Sequence, residues 1–289
     1  MILKFFCPRW GSEQLSWDVF LQQVKDAGYD GVEYGIPNET PISELDYVWE
    51  KFEKYGLEVI GQHYGTYDAH FPLHHDRYAA WLEKVRPYPM LRIDSQTGKD
   101  FFTFEQNKAL IDLASEFTKS TGTDLFHETH RNKFPFAAHI THMYLQQIPE
   151  LKITLDASHW VCVAESYLED QAEAMALAIS RTEHIHARVG YPEGPQIPDP
   201  RVPEWQEAVQ VHMAWWDQVV ARKRSEGSNA LLTITPEFGP APYMIALPFT
   251  RQPITSQWEV NAYMMNLLKA RYTSSGQPSA IGHQSLAFD

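Results

Sequence analysis

The fold of this chain is decided by one stretch, Leu151–Trp160, which reads LKITLDASHW. Within it, Ile153 and Leu155 alternate with polar residues, and this two-residue period is that of a β-strand with two unlike faces. Asp156 ends the strand, and His159 follows three residues later, where the chain must turn. A carboxylate and an imidazole at this spacing can both point to one spot above the end of the strand.

Three other stretches have the same form, a short apolar–polar alternation that ends on side chains able to bind a metal ion. They are 124–131 (DLFHETHR), 183–188 (EHIHAR) and 231–239 (LLTITPEFG). If Asp156 faces inward, the side chains on the outer face of these strands are mostly apolar. The side chains on the inner face become polar toward each strand's end. This pattern is typical of strands that helices cover on the outside and that open onto a site at their C-terminal ends.

Strand and helix signals alternate along the rest of the chain, with earlier strands predicted at 3–8, 31–35, 57–64 and 90–94. Eight strand–helix pairs without a break in composition predict an α/β fold, a single-domain (β/α)₈ TIM barrel over residues 1–273. A doubly wound sheet is disfavoured, because no Gly-rich phosphate loop follows the first strand. Residues 274–289 are rich in Ser, Gly and Gln and predict a mobile C-terminal tail.

Composition and charge restrict the partners and the compartment. The 289 residues are 44% hydrophobic and carry a formal net charge of −13. Because affinity for phosphates needs clustered cations, this charge predicts no nucleic-acid partner. No apolar run reaches ~18 residues, which predicts no membrane span. The first residues lack the features of a secretory signal, and two cysteines are too few for a disulfide framework, so a cytoplasmic location is expected. A homo-oligomer is left open.

Four metal-ligand residues end the fifth to eighth strands, which are neighbours in a barrel: Glu128, Asp156, His186 and Glu237. This oxygen-rich set with a single imidazole suits Mn²⁺, Mg²⁺ or Co²⁺ better than a metal that prefers thiolates. Each residue alone fits an ordinary polar position at a strand end, but four on successive inner faces favour a metal site. The sequence therefore predicts a divalent metal ion, Mn²⁺ in first place, with Mg²⁺, Co²⁺ or Zn²⁺ as alternatives.

Four further side chains are predicted to lie around this site. His184 shares the inner face with His186 one layer deeper, and it is interpreted as orienting its neighbours by hydrogen bonds. His159 is interpreted as a donor to substrate hydroxyls, with an additional metal ion as the alternative. Arg188 either anchors a substrate oxygen or forms a salt bridge with a barrel carboxylate. His63, at the end of the third strand, either binds substrate at the mouth of the barrel or belongs to an ordinary loop.

These motifs resemble the xylose-isomerase-like TIM-barrel superfamily, which holds sugar isomerases, ketose 3-epimerases, inosose dehydratases and endonuclease-IV-type nucleases. The resemblance rests on Asp-x-x-His at 156–159 and His-x-His at 184–186, and it covers essentially the whole chain in strand order. It implies that one divalent ion is held by the four residues above, with the second histidine of His-x-His as the ligand. For the epimerase branch it also implies that Glu128 and Glu237 are the acid/base pair, and that the histidine after the Asp and an arginine after His-x-His contact substrate.

Residues and resemblance together predict a divalent-metal-dependent isomerase or epimerase that moves a proton next to a carbonyl of a small carbohydrate. A metal-dependent dehydratase of a keto-inositol or related sugar derivative is the alternative, because it begins with the same proton abstraction. The nuclease branch is disfavoured, since its Asp-x-His after the seventh strand reads Asp199-Pro-Arg201 here. No Gly-rich helix start offers a phosphate cradle, so an unphosphorylated substrate is expected. The particular sugar is left open.

Overall fold

The computed structural model describes residues 1–273. Within these residues, each strand pairs in parallel with the next, and the eighth pairs with the first to close a barrel. The strands are Ile2–Pro8 (β1), Gly31–Gly35 (β2), Glu58–His63 (β3), Arg92–Ser95 (β4), Leu125–Glu128 (β5), Ile153–Leu155 (β6), Thr182–His186 (β7) and Leu231–Thr235 (β8). The predicted (β/α)₈ barrel is confirmed. The predicted tail at 274–289 lies outside the described residues.

Helices connect the strands and cover the outside of the barrel. They are Trp17–Asp26 (α1), Ile42–Tyr55 (α2), Phe71–Val85 (α3), Phe104–Thr121 (α4), Ala138–Gln147 (α5), Ala157–Ala164 (α6), Ala172–Arg181 (α7), Gln206–Ser225 (α8) and Gln257–Thr273 (α9). Their ends follow local chemistry: α4 begins with a capping box between Thr103 and Gln106 and ends at Gly122, whose φ of 77° suits glycine. Within residues 1–273, no helix combines the length and the hydropathy needed to cross a membrane.

One helix, α6, differs from the prediction that the chain turns after Asp156. The carboxylate of Asp156 accepts a hydrogen bond from the backbone N–H of Ser158 at 3.0 Å and so caps α6. His159 therefore lies in the first turn of a helix instead of a loop, and it is fully buried. This cap fixes the carboxylate and the imidazole relative to each other.

The barrel interior below the strand ends is filled with side chains. The guanidinium of Arg92 lies 4.9 Å above the ring centre of Phe126 and donates to the hydroxyl of Thr233 at 3.0 Å. On the outer face, Ile153 and Leu155 are fully buried in the apolar core shared with the helices. Below the strand ends the interior is therefore a packed core, and it includes the paired guanidinium of Arg92.

Candidate metal centre

The ends of β5 to β8 bring the four predicted ligand residues together. Glu128 ends β5, Asp156 follows β6, His186 ends β7 and Glu237 lies just beyond β8. One ligand atom from each lies within 4.8 Å of the others, and all four residues are buried. Nδ1 of His186 lies 2.9 Å from Oε2 of Glu237 and 3.4 Å from Oε1 of Glu128. The geometry agrees with the predicted ligand set, and ion binding itself stays a prediction.

Glu128 gives the strongest indication that this cluster fits a cation. It is fully buried, and neither of its carboxylate oxygens has a hydrogen-bond partner among residues 1–273. Nδ1 of His186 forms no hydrogen bond there either, because its 2.9 Å approach to Oε2 of Glu237 lacks hydrogen-bond geometry. Burying a carboxylate without partners is costly, and such atoms are usually satisfied by a group that the protein itself does not supply. An oxygen-rich set with one imidazole fits a divalent ion such as Mn²⁺ or Mg²⁺.

Asp156 is held by hydrogen bonds at both carboxylate oxygens. Oδ1 accepts from the backbone and the hydroxyl of Ser158, and Oδ2 accepts from Nη2 of Arg188. Burial raises the pKa of Asp156 to about 6, and Arg188 opposes this rise. Each carboxylate oxygen has two lone pairs; Oδ1 accepts two hydrogen bonds and Oδ2 one, so Oδ2 keeps a lone pair for a cation. Of the two roles predicted for Arg188, the salt bridge is present; because Arg188 also lines the cavity above the cluster, substrate contact stays a prediction.

Glu33, in the middle of β2, is the main site residue that the sequence analysis missed. Its Oε1 lies 2.9 Å from Nε2 of His186, and its Oε2 lies 3.2 Å from Nε2 of His184. A carboxylate that accepts from Nε2–H fixes the ring of His186 and turns the Nδ1 lone pair toward the cluster, as in many metal-bound histidines. The contacts of His184 with Glu33 agree with the orienting role predicted for it.

The electrostatics of the cluster match a site that exchanges a proton for a cation. Burial lowers the pKa of His186, but the carboxylates of Glu237, Glu33 and Glu128 raise it more, so the net shift is well above the usual value. Burial raises the pKa of Glu128, but His186, His130 and Arg188 together lower it more, to about 2. Without an ion, a proton on His186 balances part of the negative charge. A bound cation would displace that proton, because a ligating imidazole nitrogen must be unprotonated.

His159 and His63, both predicted to contact substrate, have unlike surroundings. Nε2 of His159 accepts from Nη2 of Arg188 at 2.8 Å, which leaves the proton on Nδ1, a buried atom without a partner among residues 1–273. The Nδ1–H of His159 is free to donate, and His159 also lies with Glu128 and His130 in a second group that could hold a metal ion, so both predicted roles stay predictions. In contrast, His63 is fully buried with Nε2 2.8 Å from the hydroxyl of Thr66 and Nδ1 3.3 Å from that of Ser95. Both ring nitrogens of His63 are occupied, which favours a structural role over the predicted substrate contact.

A cavity of about 870 Å³ opens above the cluster, and both Glu237 and Arg188 form part of its wall. Gln62, another residue missed from the sequence, lines the cavity and donates its amide N–H to Oε1 of Glu237 at 3.1 Å. Aromatic rings form much of the remaining wall: Trp10, Trp17, Tyr34, Tyr64, Tyr67 and Tyr243. Apolar faces with a few well-placed polar groups are typical of a small-molecule site.

Comparison with known proteins identifies the fold. No protein-family model and no curated protein matches the sequence. Three solved structures are similar in fold. The probable 3-DHS dehydratase AsbF from Bacillus anthracis has a TM-score of 0.56 and 14% identity, and the match covers 95% of this chain and 100% of that one. A sugar phosphate isomerase/epimerase from Parabacteroides distasonis (TM-score 0.55, 13% identity) is matched over 92% of this chain and 94% of its own, and an AP endonuclease of family 2 from Brucella melitensis (TM-score 0.53, 9% identity) over 91% and 98%. The predicted resemblance to xylose-isomerase-like TIM barrels is confirmed at the level of the fold.

Replacing Glu33 tests whether it supports the metal centre. We expect Glu33→Gln to weaken Mn²⁺ binding by roughly 10–100-fold, because loss of the carboxylate partner frees the imidazole of His186 to rotate or change tautomer. Isothermal titration calorimetry of Mn²⁺ gives the affinity. The control is Glu58→Gln, which removes a carboxylate that pairs with Lys4 at 2.6 Å and should leave the affinity unchanged. Equal affinities in the two variants would contradict the supporting role of Glu33.

Proposed function

We propose that this chain is a divalent-metal-dependent sugar isomerase or epimerase that moves a proton at a carbon next to a carbonyl. One observation carries the proposal: two carboxylates, Glu128 and Glu237, meet at Nδ1 of His186, at 3.4 Å and 2.9 Å. The ion held by the four ligand residues would supply Lewis acidity, which polarises a carbonyl and acidifies the adjacent C–H. Similarity in fold to a sugar phosphate isomerase/epimerase from Parabacteroides distasonis supports this class of reaction.

The residues of the chain carry the proton. One of Glu128 and Glu237 takes it from the carbon, and the other returns a proton to the opposite face. The oxygens of Glu128 have no hydrogen-bond partner among residues 1–273, so one of them is available as a base. Glu237 is held at the cavity wall by the amide of Gln62 at 3.1 Å. The unpartnered Nδ1–H of His159 serves as a donor to a substrate oxygen.

A metal-dependent dehydratase of a keto-inositol or related sugar derivative is the second candidate, and the unpartnered Nδ1–H of His159 is the observation that favours it. Expelling a hydroxyl requires a proton donor besides the base. The Nδ1–H of His159 has no hydrogen-bond partner among residues 1–273 and is available to the departing hydroxyl. His130 lines the cavity but does not suit this role, because its Nδ1–H donates to the carbonyl oxygen of Arg131 at 2.6 Å and its Nε2 then carries no proton. Similarity in fold to the probable 3-DHS dehydratase AsbF from Bacillus anthracis points in the same direction.

Product analysis decides between the two reactions. The Mn²⁺-loaded protein is incubated in D₂O with free ketoses, phosphorylated ketoses and inososes, and the products are followed by NMR and mass spectrometry. An isomerase or epimerase incorporates deuterium at the carbon next to the carbonyl and otherwise keeps the elemental composition. A dehydratase gives a product lighter by one water. Protein stripped of metal by EDTA is the control, and absence of both exchange and product across the whole panel would refute the proposed activity.

A further inference from the structure

Two buried lysines in the loops after β4 and β5 form no ion pair within residues 1–273. Lys99 follows β4 and Lys133 follows β5, and they are only 5% and 1% exposed. The ammonium of Lys133 has no hydrogen-bond partner, and neither lysine side chain forms an ion pair within residues 1–273. An ammonium buried in this way loses its hydration without replacement, which destabilises the fold. A ligand with a negatively charged group would offset this cost by pairing with the ammonium.

The immediate surroundings of these ammonium groups do not neutralise them. The ring of Tyr67 contacts both, with its centre 5.6 Å from Nζ of Lys99 and 5.2 Å from Nζ of Lys133. A cation–π contact compensates a buried charge less than a carboxylate does. Burial lowers the pKa of Lys133 to about 8, Lys99 adds to the decrease and the carboxylate of Glu128 opposes it, so Lys133 is still mostly charged at pH 7. Tyr67 and Lys133 both line the cavity that reaches the metal centre.

The backbone around both lysines is held in place by hydrogen bonds. The N–H of Lys99 donates to Oδ1 of Asn107 at 3.2 Å, and the amide of Asn107 donates back to the carbonyl of Lys99 at 3.0 Å. The same amide reaches the hydroxyl of Tyr144 at 3.1 Å. The N–H of Lys133 donates to the carbonyl of His130 at 3.2 Å. The backbone that carries the two lysines is therefore held in place.

We propose that Lys99 and Lys133 bind an acidic group of the substrate, a carboxylate or a phosphate, while the reacting end of the substrate lies at the metal centre. One cavity is lined by Lys133, Glu237 and Arg188, so a single substrate can contact both Lys133 and the metal centre. The inference therefore rests on the proposed function. It narrows the substrate from any small carbohydrate to an acidic sugar or an acidic carbocyclic derivative.

Calorimetric titration of the Mn²⁺-loaded protein with three matched probes tests the proposal. The probes are glucose, glucuronate and glucose 6-phosphate, which differ in charge and in the acidic group. We expect the wild type to bind an acidic probe at least about tenfold more tightly than glucose, and Lys133→Met to lose this preference without a change in the Kd for glucose. Lys99→Met should reduce the preference in the same direction. Preference for glucose 6-phosphate over glucuronate would also contradict the expectation of an unphosphorylated substrate.

The control variant is Lys108→Met, which removes a lysine of α4 that pairs with Asp112 at 2.7 Å on the surface, and it should bind all three probes as the wild type does. Equal or undetectable binding of the acidic probes by the wild type, or a preference that survives Lys133→Met, would overturn the proposal.

Thermal unfolding separates ligand binding from a structural role of Lys133. Removing an unpaired buried charge should raise the thermal midpoint of Lys133→Met by about 2 °C or more, whereas a lower midpoint would show that the lysine stabilises the fold and would overturn the proposal.

Failure of the anion site and failure of the proposed function give different results. Acidic preference in a protein that binds no Mn²⁺ would refute only the proposed function. Mn²⁺ binding and deuterium exchange without acidic preference would refute only the anion site.

Discussion

Glu128→Gln and Glu237→Gln are each expected to keep most of the bound Mn²⁺ and to lose turnover by at least ~100-fold, the usual scale of general acid–base catalysis. Glutamine retains a carbonyl oxygen for the ion but lacks the basic oxygen that accepts the proton. Elemental analysis gives the metal content, and kcat is measured on the substrate that the product screen identifies. The control is Glu44→Gln, since Glu44 lines the same cavity but is not one of the four ligand residues.

The two variants should also differ in isotope exchange, because each glutamate handles one face of the carbon. With a given epimer in D₂O, the variant that lacks the first base should exchange nothing. The variant that lacks the second can still incorporate deuterium into that epimer without forming product. Near-wild-type turnover in both Glu128→Gln and Glu237→Gln would contradict the two-carboxylate mechanism without contradicting the assignment of the metal centre.

Asp156→Ala is expected to lose bound Mn²⁺ and all measurable turnover while the barrel stays folded. The substitution removes one carboxylate of the four-residue set and the cap of α6. The guanidinium of Arg188 keeps other partners, with Glu237 at 3.5 Å and His159 at 2.8 Å, so it is not left as an isolated buried charge. Metal content after dialysis and the circular dichroism spectrum are the two measurements.

An exposed Asp–Arg pair elsewhere in the chain provides the control for this variant. Asp199 bonds to Nη2 of Arg201 at 2.7 Å, and Asp199→Ala should leave the Mn²⁺ content unchanged. If purified Asp156→Ala retains a full equivalent of Mn²⁺, the metal centre has been assigned to the wrong residues. Loss of metal together with loss of the helical spectrum would show instead that the cap of α6 is needed for folding.

The sequence by itself determined the barrel and the set of four residues at its mouth. Alternation of period two assigns each side chain to the inner or the outer face, and this depends only on the geometry of a strand. Parallel strands in a barrel end on one side, so inward residues at the ends of β5 to β8 had to converge. Glu128, Asp156, His186 and Glu237 were therefore predictable without any tertiary contact. The same alternation puts Glu33 on the inner face of β2, and a charged residue in the middle of a buried strand is a sequence signal of such a site.

Only the tertiary structure decided which polar groups meet across the barrel and which stay without a partner. Glu33 and His186 are 153 residues apart in sequence, on strands that do not pair, and their 2.9 Å contact depends on the tilt and stagger of the whole barrel. The occupied ring of His63 and the unpartnered ammonium of Lys133 likewise follow from how the loops pack. Strand periodicity fixes a direction for each side chain, but burial and pairing are set by neighbours that only the folded chain brings together.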